Sequence, residues 1–354
     1  MWDLWMRRAL ALAALAEGRT SPNPLVGALV LDAKGSLVGE GFHARAGEPH
    51  AEVGALAQAG NAAQGGTLVV TLEPCCHHGR TPPCTQAVLK AGLARVVVAL
   101  EDPDPRVAGA GIRELRQAGV EVVSGVLNAE AAEQNRAFLH RVRTGRPFGI
   151  LKWAMSLDGR TALPNGASQW ISGPPARDWV HQLRCGMDAV IVGGGTVRAD
   201  DPLLTSRGRR SPEPLRVVLS RSLDLPDQAH LWDIAIAPTL VAYGPDADPQ
   251  HLPPGPEGLG LSGCEPLQLM EALAERGCNQ VLWECGTVLA AAAIQQGCVQ
   301  EIAAVVAPKL MGGTAARTPL ADLGLERMDQ ALGGTLLPPT SIGEDWLLRL
   351  RLSA

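Results

Sequence analysis

Between Pro24 and about residue 126, short unbroken apolar runs alternate with longer stretches whose apolar residues recur every three or four positions. Val26–Leu31, Thr67–Leu72, Val96–Leu100 and Val120–Val126 have the length and β-branched content of buried strands, whereas Ala51–Ala59, Thr85–Ala91 and Gly109–Ala118 have helical spacing. This alternation predicts an α/β layer. Residues 127–146 are charged, helical in spacing, and end in Thr144-Gly-Arg-Pro147, which puts a domain boundary near 146 and domains at 1–145 and 146–354. A second α/β pattern follows: strands at Phe148–Ala154, Ala189–Val192, Leu215–Leu219, Thr239–Tyr243, Gln280–Glu284 and Glu301–Val306, with helices at Pro174–Cys185, Pro266–Arg276 and Thr287–Gln296. Gly244–Gly263 is rich in Pro and Gly and is expected to be a surface loop without chemistry. Arg7-Arg8 before the apolar run Ala9–Ala16 has two readings: the start of a secretory signal, or an apolar helix face that ends at Gly18 and feeds the Pro22-Asn23-Pro24 turn. The turn favours the helix. No apolar stretch reaches the ~18 residues of a membrane span.

Composition narrows the function classes. The chain has 354 residues, 46% of them hydrophobic, enough for two packed cores. With 36 acidic and 31 basic side chains, one Tyr and three Phe, it lacks the basic stripe and stacking aromatics of a nucleic-acid reader. Eight cysteines at irregular spacing fit a reducing cytoplasm better than a disulfide framework. Cys185, Cys264, Cys278, Cys285 and Cys298 are expected to act as small buried apolar residues.

The chemistry is densest between residues 50 and 84. His50 and the thiols of Cys75 and Cys84 offer three ligands to a tetrahedral Zn²⁺ and leave the fourth position for water, while Glu52, two residues after the His, is placed to carry protons. This H-x-E…P-C order is that of zinc-dependent base deaminases. The alternative is a closed structural zinc knuckle with a fourth ligand from Cys76, His77 or His78; such a site has no need of Glu52. Two further turns, Val190–Thr196 and Val281–Thr287, lead from a strand through glycine into a helix or turn, and either cradle phosphate on backbone amides or serve packing alone.

Eight residues separate Cys75 from Cys84, wider than the usual P-C-x-x-C, and this sharpens the assignment. The run Thr71-Leu-Glu-Pro-Cys-Cys-His-His-Gly-Arg-Thr-Pro-Pro-Cys84, with Gly47–Glu52, Ser21–Gly27, Gly39–His43 and Asp102–Gly109, closely resembles the deaminase half of bifunctional riboflavin-biosynthesis enzymes. Lys152–Gly159, Gly166–Ile171, Leu183-Arg184, Thr196–Arg207 and Ala307–Gly313 resemble the same family's reductase half, in the correct order along nearly the full chain. The resemblance implies a cytidine-deaminase-like α/β/α domain followed by a dihydrofolate-reductase-like α/β domain, with Zn²⁺ and NADPH as cofactors. It implies hydrolytic deamination of 2,5-diamino-6-(ribosylamino)pyrimidin-4-one 5′-phosphate, then reduction of the ribosyl group to ribityl. It further implies that His50, Cys75 and Cys84 bind the metal, that Glu52 is catalytic, and that Asn23 contacts the ring in the first half. In the second, Ala154, Trp170, Thr196, Asp200 and the stretch Gly286, Thr287, Val288, Leu289, Ala290, Ala291 and Ala292 would contact NADPH, and Ser168, Arg184, Leu204, Arg207 and Glu284 the substrate. Asp200-Asp201 before Pro202 serves equally well as a turn or cap. Cys285 departs from the family's usual Gly or Ala, and Ser220 from its frequent Asp. The expected partner is a small pyrimidine ribonucleotide, with no nucleic acid and no membrane, in a cytoplasmic homo-oligomer. The competing functions are a deaminase of another nucleotide or of a nucleic-acid base with an inactive or binding-only C-terminal domain, and a zinc module without turnover.

Overall fold

In the computed structural model, which describes residues 2–77 and 82–353, the chain divides into two units, Met1–Gly145 and Arg146–Ala354, each built on its own sheet. The first runs α1 (Trp2–Ala14), β1 (Gly27–Leu31), β2 (Leu37–Phe42), α2 (Ala51–Ala59), β3 (Thr67–Leu72), α3 (Cys84–Lys90), β4 (Arg95–Leu100), α4 (Ala110–Gln117), β5 (Glu121–Ser124), α5 (Asn128–Gln134) and α6 (Arg136–Thr144). Its five strands lie in the order β2-β1-β3-β4-β5, antiparallel across β2-β1-β3 and parallel across β3-β4-β5. β1 and β3 are buried along their whole length, because helices cover both faces of the sheet. The apolar N-terminal stretch is α1, whose Met6, Ala9 and Ala13 pack into one of these faces.

The charged connector is helical, as its spacing predicts, and forms two helices. Asn135 separates α5 from α6, and its buried side chain bonds both the amide (2.8 Å) and the carbonyl (2.9 Å) of Leu25. The sequence pattern does not show β2, whose Gly39 and Gly41 read as loop. A Cβ on Gly39 would overlap the Ala55 carbonyl, and one on Gly41 would lie 2.6 Å from the Ala51 carbonyl, so these glycines let α2 lie directly on the strand.

The second unit contains β6 (Phe148–Ser156), α7 (Pro174–Cys185), β7 (Ala189–Gly193), α8 (Gly194–Asp200), β8 (Leu215–Ser220), β9 (Thr239–Tyr243), β10 (Glu257–Gly260), α9 (Pro266–Glu275), β11 (Gln280–Trp283), α10 (Thr287–Gln295), β12 (Glu301–Ala307), β13 (Gly334–Leu336), β14 (Thr340–Ile342) and β15 (Asp345–Leu352). The sheet order is β10-β9-β8-β7-β11-β6-β12-β15-β13, with β14 also on β15; the strands from β10 to β12 are parallel and β13–β15 antiparallel. β11 enters between β7 and β6, two strands formed earlier in the chain, so the carboxyl ends of β6, β11 and β7 meet at a topological switch point. The expected loop Gly244–Gly263 is corrected: it carries β10, an edge strand whose exposed, Gly-rich sequence hides the strand signal. No helix among the described residues is long and apolar enough to cross a membrane.

Candidate active sites

In the first unit a cavity of about 460 Å³ opens where α2 and α3 begin. His50 occupies the cap position of α2 in extended conformation, Glu52 lies in its first turn, and Cys84 opens α3. Cys75 follows β3. His50 Nδ1 is 3.2 Å from Cys84 Sγ and 3.6 Å from Cys75 Sγ, and the three ligand atoms lie within 4.8 Å of one another. With Zn–N of 2.0–2.1 Å and Zn–S of 2.3 Å, a tetrahedral N···S edge is about 3.6 Å, so this donor set fits zinc in both softness and spacing. The Cys84 thiol beside it holds Cys75 below the ordinary thiol value, and the same contact, with burial, pushes Cys84 up. A thiolate already favoured at Cys75 suits a metal ligand.

Glu52 is 3% exposed, lines the cavity, and is pushed above the usual carboxylate range by burial. His43 stands edge-on to His50, with ring centroids 5.5 Å apart, and its Nε2 is 3.0 Å from Asn23 Nδ2. The opposite wall depends on Glu73, a buried carboxylate that accepts the amides of Asp102 (3.2 Å), Gly109 (3.0 Å) and Ile112 (3.0 Å). Sequence reasoning gave no role to His43, Glu73 or Asp102, although all three lie within the quoted motifs. Asp102 lines the cavity and is raised to about 6 by burial. Cys76 and His77 are not among the clustered ligand atoms, and His78 lies outside the described residues.

The second cavity, about 850 Å³, runs along the carboxyl ends of the parallel strands in the other unit. Ala154, Ser168, Thr196, Asp200, Glu284, Gly286, Thr287, Val288, Leu289 and Ala292 all line it. Gly286 caps α10 in extended conformation, so the first amides of that helix border the cavity, a donor set that fits a dinucleotide's pyrophosphate. Cys285 is also in the wall; burial pushes its thiol up to about 12, so it presents a neutral apolar surface there. Ser220 is buried, and a Cβ on Gly194 would lie 3.2 Å from its Oγ, so its small side chain packs against the start of α8.

Charge gathers around Glu284. Arg184 donates to both its oxygens, at 2.6 and 3.0 Å, and spends its remaining terminal nitrogen on the Thr205 carbonyl at 2.9 Å, while Lys152 Nζ lies 4.0 Å away. Burial opposes ionisation of Glu284, yet Arg184 and Lys152 hold it below its ordinary value; burial lowers Lys152. The guanidinium of Arg184 is thus already engaged, and its direct part is to fix Glu284. Other expected residues do not border the cavity. Ala290 and Ala291 are buried on the inner side of α10, Leu204 is buried, and Arg207 is exposed on a positive-φ turn. Trp170 is exposed under the Arg177 guanidinium, 4.5 Å from its ring centre.

Comparison with known proteins agrees with both halves. Residues 2–100 match the model of the cytidine and deoxycytidylate deaminase zinc-binding region, and residues 147–348 that of the RibD C-terminal domain. The riboflavin biosynthesis protein RibD of Synechocystis is 53% identical over 97% of this chain and 94% of its own, and that of Escherichia coli 41% over 88% and 89%. A crystallised Acinetobacter baumannii RibD superposes with TM-score 0.90 at 41% identity, covering 100% of this chain and 99% of that one. A Thermotoga maritima structure titled diaminohydroxyphosphoribosylaminopyrimidine deaminase/5-amino-6-(5-phosphoribosylamino)uracil reductase gives 0.89 at 33% identity, covering 99% of each. The chain belongs to the RibD family of riboflavin-biosynthesis enzymes, which join a zinc-dependent deaminase to an NADPH-dependent reductase in one polypeptide.

Proposed function

We propose that the unit 1–145 deaminates 2,5-diamino-6-(ribosylamino)pyrimidin-4-one 5′-phosphate and that the unit 146–354 reduces the ribosyl group of the deaminated nucleotide to ribityl. The observation that carries this reading is the convergence of His50, Cys75 and Cys84 with a buried, non-ligating Glu52 beside them. Zinc, when held by these three residues, supplies the Lewis acidity that makes water a nucleophile near neutral pH. Glu52 would take one proton from the attacking water and give it to the ring nitrogen, then take the second from the hydroxyl now on C2 and give it to the amine, which leaves as ammonia; its raised pKa suits it to give each proton back. Asn23, oriented by His43, bonds the pyrimidine ring.

In the other unit, NADPH, when bound, would supply a hydride to C1′ of the ribosylamine opened to its imine, whose nitrogen takes a proton. Ala154, Thr196, Asp200 and the Gly286–Leu289 turn hold the cofactor, while Ser168 and Glu284 hold the nucleotide and Arg184 fixes Glu284. Arg207, exposed beside Arg184 in the 205–210 turn, meets the 5′-phosphate from outside the cavity. All eight cysteines are free, which supports a cytoplasmic setting.

The test is Glu52→Gln. Bound zinc should stay at the wild-type level, with ammonia release down about 10²–10⁴-fold. Cys75→Ser should lose the metal. Zinc loss in the glutamine variant comparable to that in the serine variant would make Glu52 a ligand and overturn the mechanism.

A further inference from the structure

Between α8 and β8 the chain makes a turn, residues 205–210, that is tied down far more heavily than its exposed tip requires. Arg184 holds its start, donating to the Thr205 carbonyl at 2.9 Å. Its end is fastened to α7: Arg209 pairs with Asp178, and Arg210 donates to the carbonyls of Cys185 and Met187. Glu213 holds the middle. One of its oxygens accepts the Ser206 amide at 2.6 Å and the other the Gly208 amide at 3.0 Å, so the carboxylate grips the backbone on both sides of Arg207. Nothing in either reaction as described uses Glu213.

The grip fixes an unfavourable backbone. Arg207 has a φ of 60°, in the left-handed region that a residue with a Cβ avoids. Its own amide donates to Thr205 Oγ1 at 3.3 Å, so all three amides from Ser206 to Gly208 are bound within the turn and to Glu213. A disfavoured conformation persists only where its surroundings over-determine it, and Glu213 supplies two of the bonds that do so here. The side chains divide the same way. Arg184, Arg209 and Arg210 are spent on carboxylates and carbonyls, whereas the exposed Arg207 guanidinium bonds no side chain or carbonyl among the described residues. The turn thus presents one uncommitted guanidinium on a backbone already ordered, which spares an anionic ligand the cost of ordering it.

We propose that Glu213 is a positioning residue of the reductase: it holds Arg207 in the conformation that meets the 5′-phosphate, and so sets the preference for the phosphorylated nucleotide over its free nucleoside. The proposal rests on the reading of Arg207 as the phosphate contact. The experiment follows NADPH oxidation by the full-length protein with the deaminated nucleotide and with its 5′-dephosphorylated nucleoside, and titrates NADPH separately. Glu213→Ala should lower kcat/KM for the nucleotide about 5- to 30-fold through KM, the factor by which an unheld arginine leaves the left-handed region. The nucleoside and NADPH affinity should change by less than about twofold, as for a substitution away from their contacts. Glu213→Gln should fall between, since one oxygen still accepts an amide, and it gives the same comparison if the alanine variant does not fold. Adding Glu213→Ala to Arg207→Ala should cost little beyond Arg207→Ala alone, because both act through one guanidinium. Equal losses for nucleotide and nucleoside, full additivity in the double variant, or an unchanged preference in folded Glu213→Ala would overturn the role of Glu213 while leaving Arg207 as the phosphate contact. Arg207→Ala with no loss for the nucleotide would overturn both.

Discussion

Three glutamates withdrawn from solvent, Glu52 and Glu73 buried and Glu284 nearly so, show how little burial alone says about a residue's work. Glu52 faces a cavity and is raised; Glu73 is spent on three backbone amides; Glu284 is ionised between Arg184 and Lys152. Of these, Glu52 was legible in the sequence because its chemistry is local, two residues from a metal ligand. Glu73 was not, since its donors come from residues 102–112 and only the fold brings them to it. The pairing of Arg184 with Glu284, 100 positions apart, was hidden in the same way, which is why the sequence suggested a direct substrate contact for an arginine that already holds a carboxylate. Asp102 gives a pH test at this scale. Its folded pKa of about 6 stands above the ordinary value of about 3.9 because burial disfavours the charge. The preference for its protonated form therefore supports the fold fully below pH ~4 and is lost as pH rises toward 6. Asp102→Asn pays no such penalty, so between pH 4 and pH 7 it should gain about 2 kcal/mol on the wild type in denaturant unfolding followed for the N-terminal unit. A constant difference between the two proteins over that range would mean that Asp102 is not desolvated.

At the scale of elements, most of what carries the two sites was readable, because both cavities lie where apolar runs give way to helix starts. α2, α7, β3 and β9 fall where the pattern places them, and the remaining central strands differ by one or two residues at an end. What escaped lies at the edges. β2 and β10 contain glycines that look like loop, and β13–β15 follow a long irregular stretch where no helical period frames them. The glycines of β2 have a consequence for chemistry, since they set how closely α2, with His50 before it and Glu52 in it, approaches the sheet. A methyl at Gly41 would meet the Ala51 carbonyl at 2.6 Å and the Ala55 nitrogen at 2.7 Å, so Gly41→Ala must push the start of α2 outward. We expect a loss of roughly 1–3 kcal/mol in stability, as for other overpacked sites. Zinc retained against a competing chelator should fall with it. Wild-type zinc retention in a folded Gly41→Ala protein would show that the helix start tolerates the shift.

For the whole molecule, the division of labour is the central claim. Each unit has its own sheet and buried core, and the residues assigned to each reaction fall within one unit: Asn23 to Cys84 in the first, Ala154 to Ala292 in the second. The two reactions are then joined only by the nucleotide that one makes and the other uses. The most direct measurement incubates the full-length protein with the diaminopyrimidinone nucleotide, with and without NADPH, and follows ammonia release and NADPH oxidation together. Ammonia should appear without NADPH, and NADPH should be consumed only after ammonia has begun to form. Glu52→Gln should stop both from this substrate, yet still oxidise NADPH when given the deaminated nucleotide. NADPH oxidation from the diamino substrate without ammonia, or a Glu52→Gln protein unable to reduce the deaminated nucleotide, would contradict the assignment of one reaction to each unit.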